Sequence, residues 1–248
     1  MENKVNQLIS SFNEEIAYCF DNLNSEITIF FFGGYSSDMT GTKATALSNW
    51  SMENKYNFTR FDYSGHGKSG GNFEEGSITK WSVEANEIFQ KFQNKQNIII
   101  GSSMGGWISL IVAKKNTETI HGLVGIASAP DFVVGEWNRL SKEQKDKIKK
   151  EGKIVINWDD YEEDYIITYK FLEDGMKNML LKDTIPITCP IRLLHGKLDK
   201  VISTSVSQTI IEKIESKNKD LVIIDDGDHS LSRQSDLNLL FKKIEELI

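Results

Sequence analysis

The stretch NIIIGSSMGGWISLIVAKK, residues 97–115, limits the folds open to this chain more than any other segment. It joins an apolar, β-branched run to a largely apolar helical segment through a turn of glycines and serines. A strand and a helix without a polar face must be covered on all sides, as happens in a parallel sheet with helices on both faces. The segment therefore predicts an α/β fold in which this strand and helix are buried.

Short apolar runs alternate with helical patterns along most of the 248 residues. β-branched and aromatic content predicts strands at residues 27–32, 58–63, 97–101, 122–128, 191–196 and 221–225. Helical spacing of apolar residues predicts helices near 78–92, 206–214 and 237–247. Alternation of this kind builds a mostly parallel sheet through right-handed crossovers. The first residues, including 15–20, are expected to add one or two antiparallel edge strands.

One long segment interrupts this alternation. Between Val133 and Pro190 the sequence shows helical patterns and many aromatic residues but no clear central strand. We therefore divide the chain into a first part of the core (1–132), a helical insertion (133–190) and a second part of the core (191–248). The insertion is expected to act as a lid over the carboxyl ends of the strands, where open α/β sheets bind ligands. The alternative is a helical pair that only packs on the sheet.

The composition argues against several classes of function. The formal charge is −7 and no basic face is evident, which argues against a nucleic-acid partner. The lysine-rich run from Lys142 to Lys153 is interleaved with acidic residues and is interpreted as a solvated helix face. The two cysteines have neither zinc-site nor redox-pair spacing. We expect no metal and no cofactor.

The location is inferred from what the sequence lacks. Its first residues do not show a basic start followed by an apolar run, which is the pattern of a secretory signal. No apolar stretch approaches the ~18 residues that span a bilayer. These observations predict a cytoplasmic protein without a membrane span; the oligomeric state is left open.

A nucleophile is predicted in the turn between the strand and the helix of residues 97–115. Gly101 and Gly105 flank Ser103 in the pattern glycine–x–serine–x–glycine, which needs small neighbours because the serine sits in a strained, raised turn. In the alternative frame, centred on Ser102, bulky side chains would stand at the glycine positions. Ser103 is therefore the candidate nucleophile, and Ser102 is its packing neighbour.

The second glycine–x–serine–x–glycine pattern, in GHGKSGG from Gly65, lacks this context. Ser69 follows a predicted strand by several residues and precedes another loop rather than a helix. A phosphate-binding loop would need a glycine where the chain has Asp62. The glycines instead predict a tight turn near the site, and His66 is interpreted as structural.

A serine needs a base, and the base needs an orienting acid. Of the four histidines, His229 follows the last predicted strand and precedes the last helix, at the carboxyl edge of the sheet. Asp199 follows another strand end and gives the chain order serine, acid, histidine that is typical of α/β-hydrolases. Asp131 is the rival acid. The acidic residues at 225–228 are interpreted as solvated loop charges rather than metal ligands.

Acyl transfer also needs N–H donors for a developing oxyanion. The backbone N–H of Met104, next after the nucleophile, is one candidate. The second is assigned to the N–H of Tyr35, in the glycine-rich loop after the strand of residues 27–32, with Gly34 as the alternative.

The segments FFGGYSSDMTGTKA, RFDYSGHGKSGG, GSSMGGW and HGKLDKVI together resemble the α/β-hydrolase superfamily, in the branch of palmitoyl-protein thioesterases and acyl-glucuronide esterases. The resemblance implies an eight-stranded sheet, a serine–aspartate–histidine triad and hydrolysis of esters or thioesters. It assigns the triad to Ser103, Asp199 and His229. One departure is Gly33–Gly34 in place of the histidine–glycine pair found before the oxyanion residue in many members.

These inferences predict a serine hydrolase that acts on a small-molecule acyl ester or thioester. Aromatic residues in the insertion favour an apolar acyl group. Two alternatives remain: a peptidase or amidase that uses the same three residues, and a non-catalytic ligand-binding member of the fold.

Overall fold

The computed structural model describes residues 4–156 and 165–248, and within these ranges the chain forms ten strands and eight α-helices. In chain order they are β1 (Asn6–Ile9), β2 (Glu15–Asp21), β3 (Ile27–Phe32), α1 (Thr42–Glu53), β4 (Asn57–Phe61), α2 (Ile78–Phe92), β5 (Gln96–Ser102), α3 (Met104–Lys115), β6 (Gly122–Ile126), α4 (Val133–Arg139), α5 (Lys142–Glu151), β7 (Lys153–Ile156), β8 (Tyr165–Thr168), α6 (Tyr169–Lys177), β9 (Ile191–Gly196), α7 (Thr204–Lys213), β10 (Lys219–Ile224) and α8 (Gln234–Glu245). A 3-10 turn spans Phe73–Glu75.

Eight strands form one sheet in the order β1-β2-β4-β3-β5-β6-β9-β10. Only β2 runs against its neighbours, and every pair from β4 to β10 is parallel. The predicted α/β-hydrolase fold, with a mostly parallel eight-stranded sheet, is therefore confirmed.

Both faces of the sheet are buried, as the apolar strands predict. Along β3, Phe30 and Phe32 belong to the apolar cluster that includes α2, α3 and α7, whereas Ile29 and Phe31 belong to the cluster that includes α1 and α8. Alternate side chains of a strand point to opposite faces, so helices cover the sheet from both sides.

Parallel strands bring their carboxyl ends to one edge of the sheet, where open α/β sheets form ligand sites. The loops after β3, β5, β9 and β10 therefore meet at this edge, and they carry the residues that the sequence singles out. Gly196 permits the approach of the loop after β10, because a Cβ there would lie 2.3 Å from the carbonyl oxygen of Asp228.

The insertion consists, in its described part, of α4, α5, α6 and an antiparallel pair formed by β7 and β8. This strand pair adds to the helical insertion expected from the sequence. Two ion pairs join the insertion to the 3-10 turn: Lys153 to Glu74 at 2.5 Å and Lys170 to Glu75 at 2.6 Å. Two aromatic residues noted in the sequence, Trp158 and Tyr161, lie outside the described residues. In the described ranges, no helix has the length and apolar character needed to cross a membrane.

Candidate active site

The turn between β5 and α3 holds Ser103 in an unusual backbone conformation. Its φ of 54° lies in the left-handed region and its ψ is −119°. Such a conformation costs a non-glycine residue on the order of 1–3 kcal/mol and persists where surrounding bonds impose it. Here the N–H of Ser103 donates to the carbonyl of Ile126 at 2.9 Å, and its carbonyl accepts from Gly106 at 2.9 Å and Ala129 at 3.0 Å.

The glycines around the serine are required by close contacts. A Cβ at Gly101 would lie 2.4 Å from the carbonyl oxygen of Gly105, and one at Gly105 would lie 2.1 Å from that of Phe32. A Cβ at Gly106 would lie 2.3 Å from the hydroxyl of Ser128. Each distance is far below van der Waals contact, so these positions admit only glycine without a local rearrangement.

The three predicted residues form one chain of hydrogen bonds. The Nε2 of His229 lies 3.1 Å from the Oγ of Ser103, and its Nδ1 lies 2.7 Å from Oδ2 of Asp199. An ionised carboxylate only accepts hydrogen bonds, so Nδ1 carries the hydrogen. Nε2 is then left to accept the hydroxyl hydrogen of Ser103 in the neutral imidazole.

The side chain of Asp199 is fully buried and has four donors around its carboxylate. Oδ1 accepts from the N–H groups of Val201 and Ile202, each at 2.8 Å. Oδ2 lies 2.7 Å from His229 and 3.1 Å from Nε2 of His195. Burial alone would raise the pKa of this carboxyl, but the surrounding donors hold the pKa well below its usual range. Asp199 is therefore an anion at neutral pH.

The rival acid takes no part in this chain. The carboxylate of Asp131 accepts the N–H groups of Leu180 and Leu181 at 2.8 and 2.9 Å, and thereby ties the last part of the insertion to the end of β6. Burial raises the pKa of Asp131. Its contacts are those of a residue that anchors the insertion.

The acidic residues beside His229 have separate partners rather than a common one. Asp225 pairs with Lys197 at 2.8 Å, and Asp226 pairs with Arg233 at 2.6 Å. The side chain of Asp228 accepts the N–H of Leu231 at 2.9 Å. No group of three acidic, histidine or cysteine side chains with the geometry of a metal site occurs within residues 4–156 and 165–248.

The loop after β3 lies directly against the turn of Ser103. A Cβ built at Gly34 would lie 3.5 Å from the Cβ of Ser103, which is van der Waals contact. Tyr35 follows in the same loop. Met104 begins α3, so its N–H has no acceptor within that helix. Both predicted oxyanion donors therefore belong to segments adjacent to Ser103.

The side chain of His66 supports the loop after β3. The sequence predicted a structural residue at this position but not this contact. Its Nε2 accepts the N–H of Ser36 at 3.3 Å, and its Nδ1 donates to the carbonyl of Ser64 at 3.2 Å. The ring lies among aromatic neighbours, including Phe73 and Trp81. Burial lowers the pKa of His66 to about 4, which keeps the imidazole neutral and able to accept from Ser36.

The side chain of Tyr35 connects the same loop to the insertion. Its hydroxyl donates to the carbonyl of Ile166 in β8 at 2.8 Å. Its ring packs in an aromatic cluster that joins the core and the insertion, with Phe73, Trp81, Phe132, Tyr165 and Phe171 around it. Among the described residues, these aromatic side chains pack against one another between the core and the insertion.

A cleft of about 310 Å³ opens beside Ser103 and His229. Most of its described lining residues have polar side chains, and they come from β3 and the loop after it, the start of α1, the end of β5 with its following turn, and the loop after β10: Phe31, Gly34, Tyr35, Ser37, Asp38, Gly41, Thr42, Lys43, Ala44, Ser102, Ser103, His229, Ser230 and Ser232. The ammonium of Lys43 donates to the carbonyl of Ser230 at 2.5 Å, and burial lowers the pKa of Lys43 to about 8. Sequence analysis did not single out Lys43.

Two solved structures are similar to this chain along almost its whole length. A putative hydrolase from Agrobacterium vitis S4 is 30% identical, with a TM-score of 0.94 and 100% of each chain covered. The alpha/beta hydrolase domain-containing protein 10 from mouse is 32% identical, with a TM-score of 0.90 and 98% of each chain covered.

Curated relatives give the same result from sequence. Palmitoyl-protein thioesterase ABHD10, mitochondrial, of Rattus norvegicus is 35% identical over 224 residues, which cover 89% of this chain and 74% of the relative. The Homo sapiens protein of the same name is 34% identical over 222 residues, covering 89% and 72%.

These relatives contradict the expected location. Their names describe mitochondrial proteins, not cytoplasmic ones. The expectation rested on the lack of a secretory leader and of a membrane-spanning run. Both properties are common to proteins of the cytosol and of the mitochondrial interior, so they do not distinguish the two compartments. The cytoplasmic prediction is wrong.

The first part of the chain also matches a known protein family. Residues 25–161 match the family described as Hydrolase_4, serine aminopeptidase S33, and this match covers more than half of the chain. Together with the eight-stranded sheet, the strained serine turn and the relatives above, it shows that the chain belongs to the α/β-hydrolase superfamily and is a serine hydrolase.

Proposed function

We propose that this protein hydrolyses carboxylic esters or thioesters through an acyl-enzyme formed on Ser103. The observation that carries the proposal is the unbroken chain of hydrogen bonds from Ser103 through His229 to Asp199. That arrangement provides a nucleophile, a base in the correct tautomer and an acid that orients the base.

In the proposed reaction, the Oγ of Ser103 attacks the acyl carbonyl while Nε2 of His229 takes the hydroxyl proton. The carbonyl oxygen becomes an oxyanion, for which the N–H groups of Met104 and Tyr35 are the proposed donors. His229 then protonates the leaving oxygen or sulfur, and the tetrahedral intermediate collapses to the acyl-enzyme. Water, activated by His229, repeats the sequence and releases the acid.

Asp199 stabilises the imidazolium that forms when His229 takes the proton. Its carboxylate stays ionised because its pKa is held low, and it keeps the hydrogen of His229 on Nδ1. No proton needs to pass to Asp199 itself.

An apolar acyl group is the second part of the proposal. The relatives at 34–35% identity are named palmitoyl-protein thioesterases, and the insertion presents an aromatic surface beside the loop of Tyr35. We further propose that residues 133–190 form a lid, with the acyl chain between the lid and the core. The polar cleft at Lys43 then faces the leaving group.

The test compares p-nitrophenyl esters and acyl thioesters of increasing chain length, with Ser103→Ala as the matched control. We expect hydrolysis that depends on Ser103 and a preference for medium or long acyl chains. Equal activity of Ser103→Ala would contradict the nucleophile, and a preference for acetyl would contradict the apolar acyl group.

Amide hydrolysis is a second candidate, because the matching family is described as serine aminopeptidase. The same residues can attack an amide, which is a poorer acyl donor. Aminoacyl p-nitroanilides tested beside the esters decide between the two: a higher kcat/KM for the anilides favours the peptidase.

A further inference from the structure

A second histidine touches the acid of the proposed site. His195, at the end of β9, has no exposed side-chain surface and stands four residues before Asp199. Its Nε2 lies 3.1 Å from Oδ2 of Asp199 and 2.9 Å from the carbonyl oxygen of Ile202. Its Nδ1 lies 2.7 Å from the hydroxyl of Ser207.

These neighbours decide where the ring hydrogen lies. Nε2 faces a carbonyl and a carboxylate, and both are acceptors, so Nε2 must carry the hydrogen. Nδ1 faces a hydroxyl, which can donate to it or accept from it. A neutral His195 is therefore an Nε2–H tautomer whose hydrogen is shared between Ile202 and Asp199.

Oδ2 of Asp199 is thus placed between two histidines. The donor at 2.7 Å is His229, and the donor at 3.1 Å is His195. Two hydrogen bonds to one carboxylate oxygen weaken each other, because each donor reduces the negative charge that the other donor interacts with. A carboxylate stripped of the second donor would hold a protonated His229 more strongly.

We propose that His195 is a positioning residue, which fixes Oδ2 of Asp199 and limits how strongly this carboxylate retains a proton on His229. The inference rests on the proposed function, since it concerns the base of the proposed reaction. With His195 in place, Oδ2 of Asp199 is shared between two donors, so it holds a proton on His229 less strongly than it would with one donor. Without it, the acid limb of kcat/KM moves to higher pH.

Other charged groups around this set belong to neighbouring loops and to α1. Asp228 is bound to the N–H of Leu231, and Lys43 is held by the carbonyl of Ser230. At the surface, Lys197 and Asp225 pair with each other at 2.8 Å. The variants below leave all of these groups unchanged, so a shifted limb reports the contact between His195 and Asp199.

Two substitutions at His195 separate the donor from the bulk of the ring. His195→Gln places an amide N–H near the position of Nε2 and keeps a donor toward Asp199. His195→Asn is shorter, and its amide reaches the position of Nδ1 instead. Ser207→Ala perturbs the same buried region but leaves the Nε2 donor in place.

The readouts are the pH profile of kcat/KM and the imidazole resonances in protein labelled with [15N]histidine. With only four histidines in the chain, the resonances are assigned by single substitutions. We expect His195→Asn to move the acid limb and the His229 midpoint upward by about one pH unit, a tenfold change in proton binding. His195→Gln and Ser207→Ala should stay close to wild type.

An unchanged midpoint in a folded His195→Asn protein would overturn the proposal, and so would an equal shift in His195→Gln. If His195→Asn does not fold, the tautomer of His195 in the wild-type spectrum is the test. A hydrogen on Nε2 of neutral His195 supports the inference, and a hydrogen on Nδ1 contradicts it. The titration does not need turnover. Failure of the proposed function appears separately, as wild-type protein that neither hydrolyses esters nor reacts with a fluorophosphonate.

Discussion

Replacing Asp199 with asparagine tests the orienting acid without changing its size. The N–H groups of Val201 and Ile202 both point at Oδ1, so the amide oxygen of asparagine must take that place. The amide NH₂ then stands where Oδ2 was, 2.7 Å from Nδ1 of His229. Two donors cannot share this contact, so His229 moves its hydrogen to Nε2 and can no longer accept the proton of Ser103.

The expected loss follows from that reversed tautomer. Loss of the orienting carboxylate in a serine–histidine–aspartate site lowers kcat by about 10⁴-fold, which corresponds to ~5.4 kcal/mol of transition-state free energy. The assay is steady-state hydrolysis of a p-nitrophenyl ester at pH 7–8, with far-UV circular dichroism and thermal unfolding to show that the variant is folded.

Asp131→Asn is the matched control, because Asp131 is the other acid that the sequence offered. Its carboxylate binds Leu180 and Leu181 rather than His229, so this variant should keep kcat within about threefold while its stability decreases. A folded Asp199→Asn protein within tenfold of wild-type kcat would refute the reasoning. A 10⁴-fold loss of kcat in Asp131→Asn instead would show that Asp131, and not Asp199, is the orienting acid.

Three further predictions follow from the surroundings of the site. Burial disfavours protonation of His66 in the folded state, so neutral His66 stabilises the fold fully above pH ~6.5, and about 3 kcal/mol of this stability is lost as the pH falls toward 4. In urea unfolding, His66→Gln should therefore lose less stability at acid pH than the wild-type protein. An identical loss in the two proteins would contradict this. Gly105→Ala forces a Cβ to within 2.1 Å of the carbonyl oxygen of Phe32, so this variant should lose several kcal/mol of stability or fail to fold. Thermal unfolding measures the loss, and Gly135→Ala is the control because the space around Gly135 is open. Tyr35→Phe removes the hydroxyl that donates to the carbonyl of Ile166, and it should cost about 1 kcal/mol of unfolding free energy and a few-fold in kcat/KM. Unchanged values for both would show that this contact is dispensable.

The core strands could be predicted from the sequence because their signals are local. Residues 27–32 and 191–196 form strands with the predicted bounds, since each run is rich in apolar residues and is marked off by polar residues, glycine or proline. Helix α1 was not predicted, because its buried side includes serines at 48 and 51 beside its apolar residues. The strands β7 and β8 have only four residues each, and β7 alternates buried and exposed residues, with Val155 59% exposed, so β7 has no continuous buried run.

Ser103, Asp199 and His229 could be proposed because each follows a predicted strand and parallel strands end at one edge. The supporting contacts could not be predicted, since they join distant parts of the chain. His66 lies 30 residues from Ser36, and Tyr35 lies 131 residues from the carbonyl it binds. His195 and Asp199, by contrast, are only four residues apart.

The most direct test of the central claim is reaction with a fluorophosphonate followed by peptide mass spectrometry. We expect one modified residue, Ser103, with modification abolished in Ser103→Ala and strongly slowed in His229→Ala. Modification of Ser102 or Ser69 instead, or none in folded wild-type protein, would contradict it.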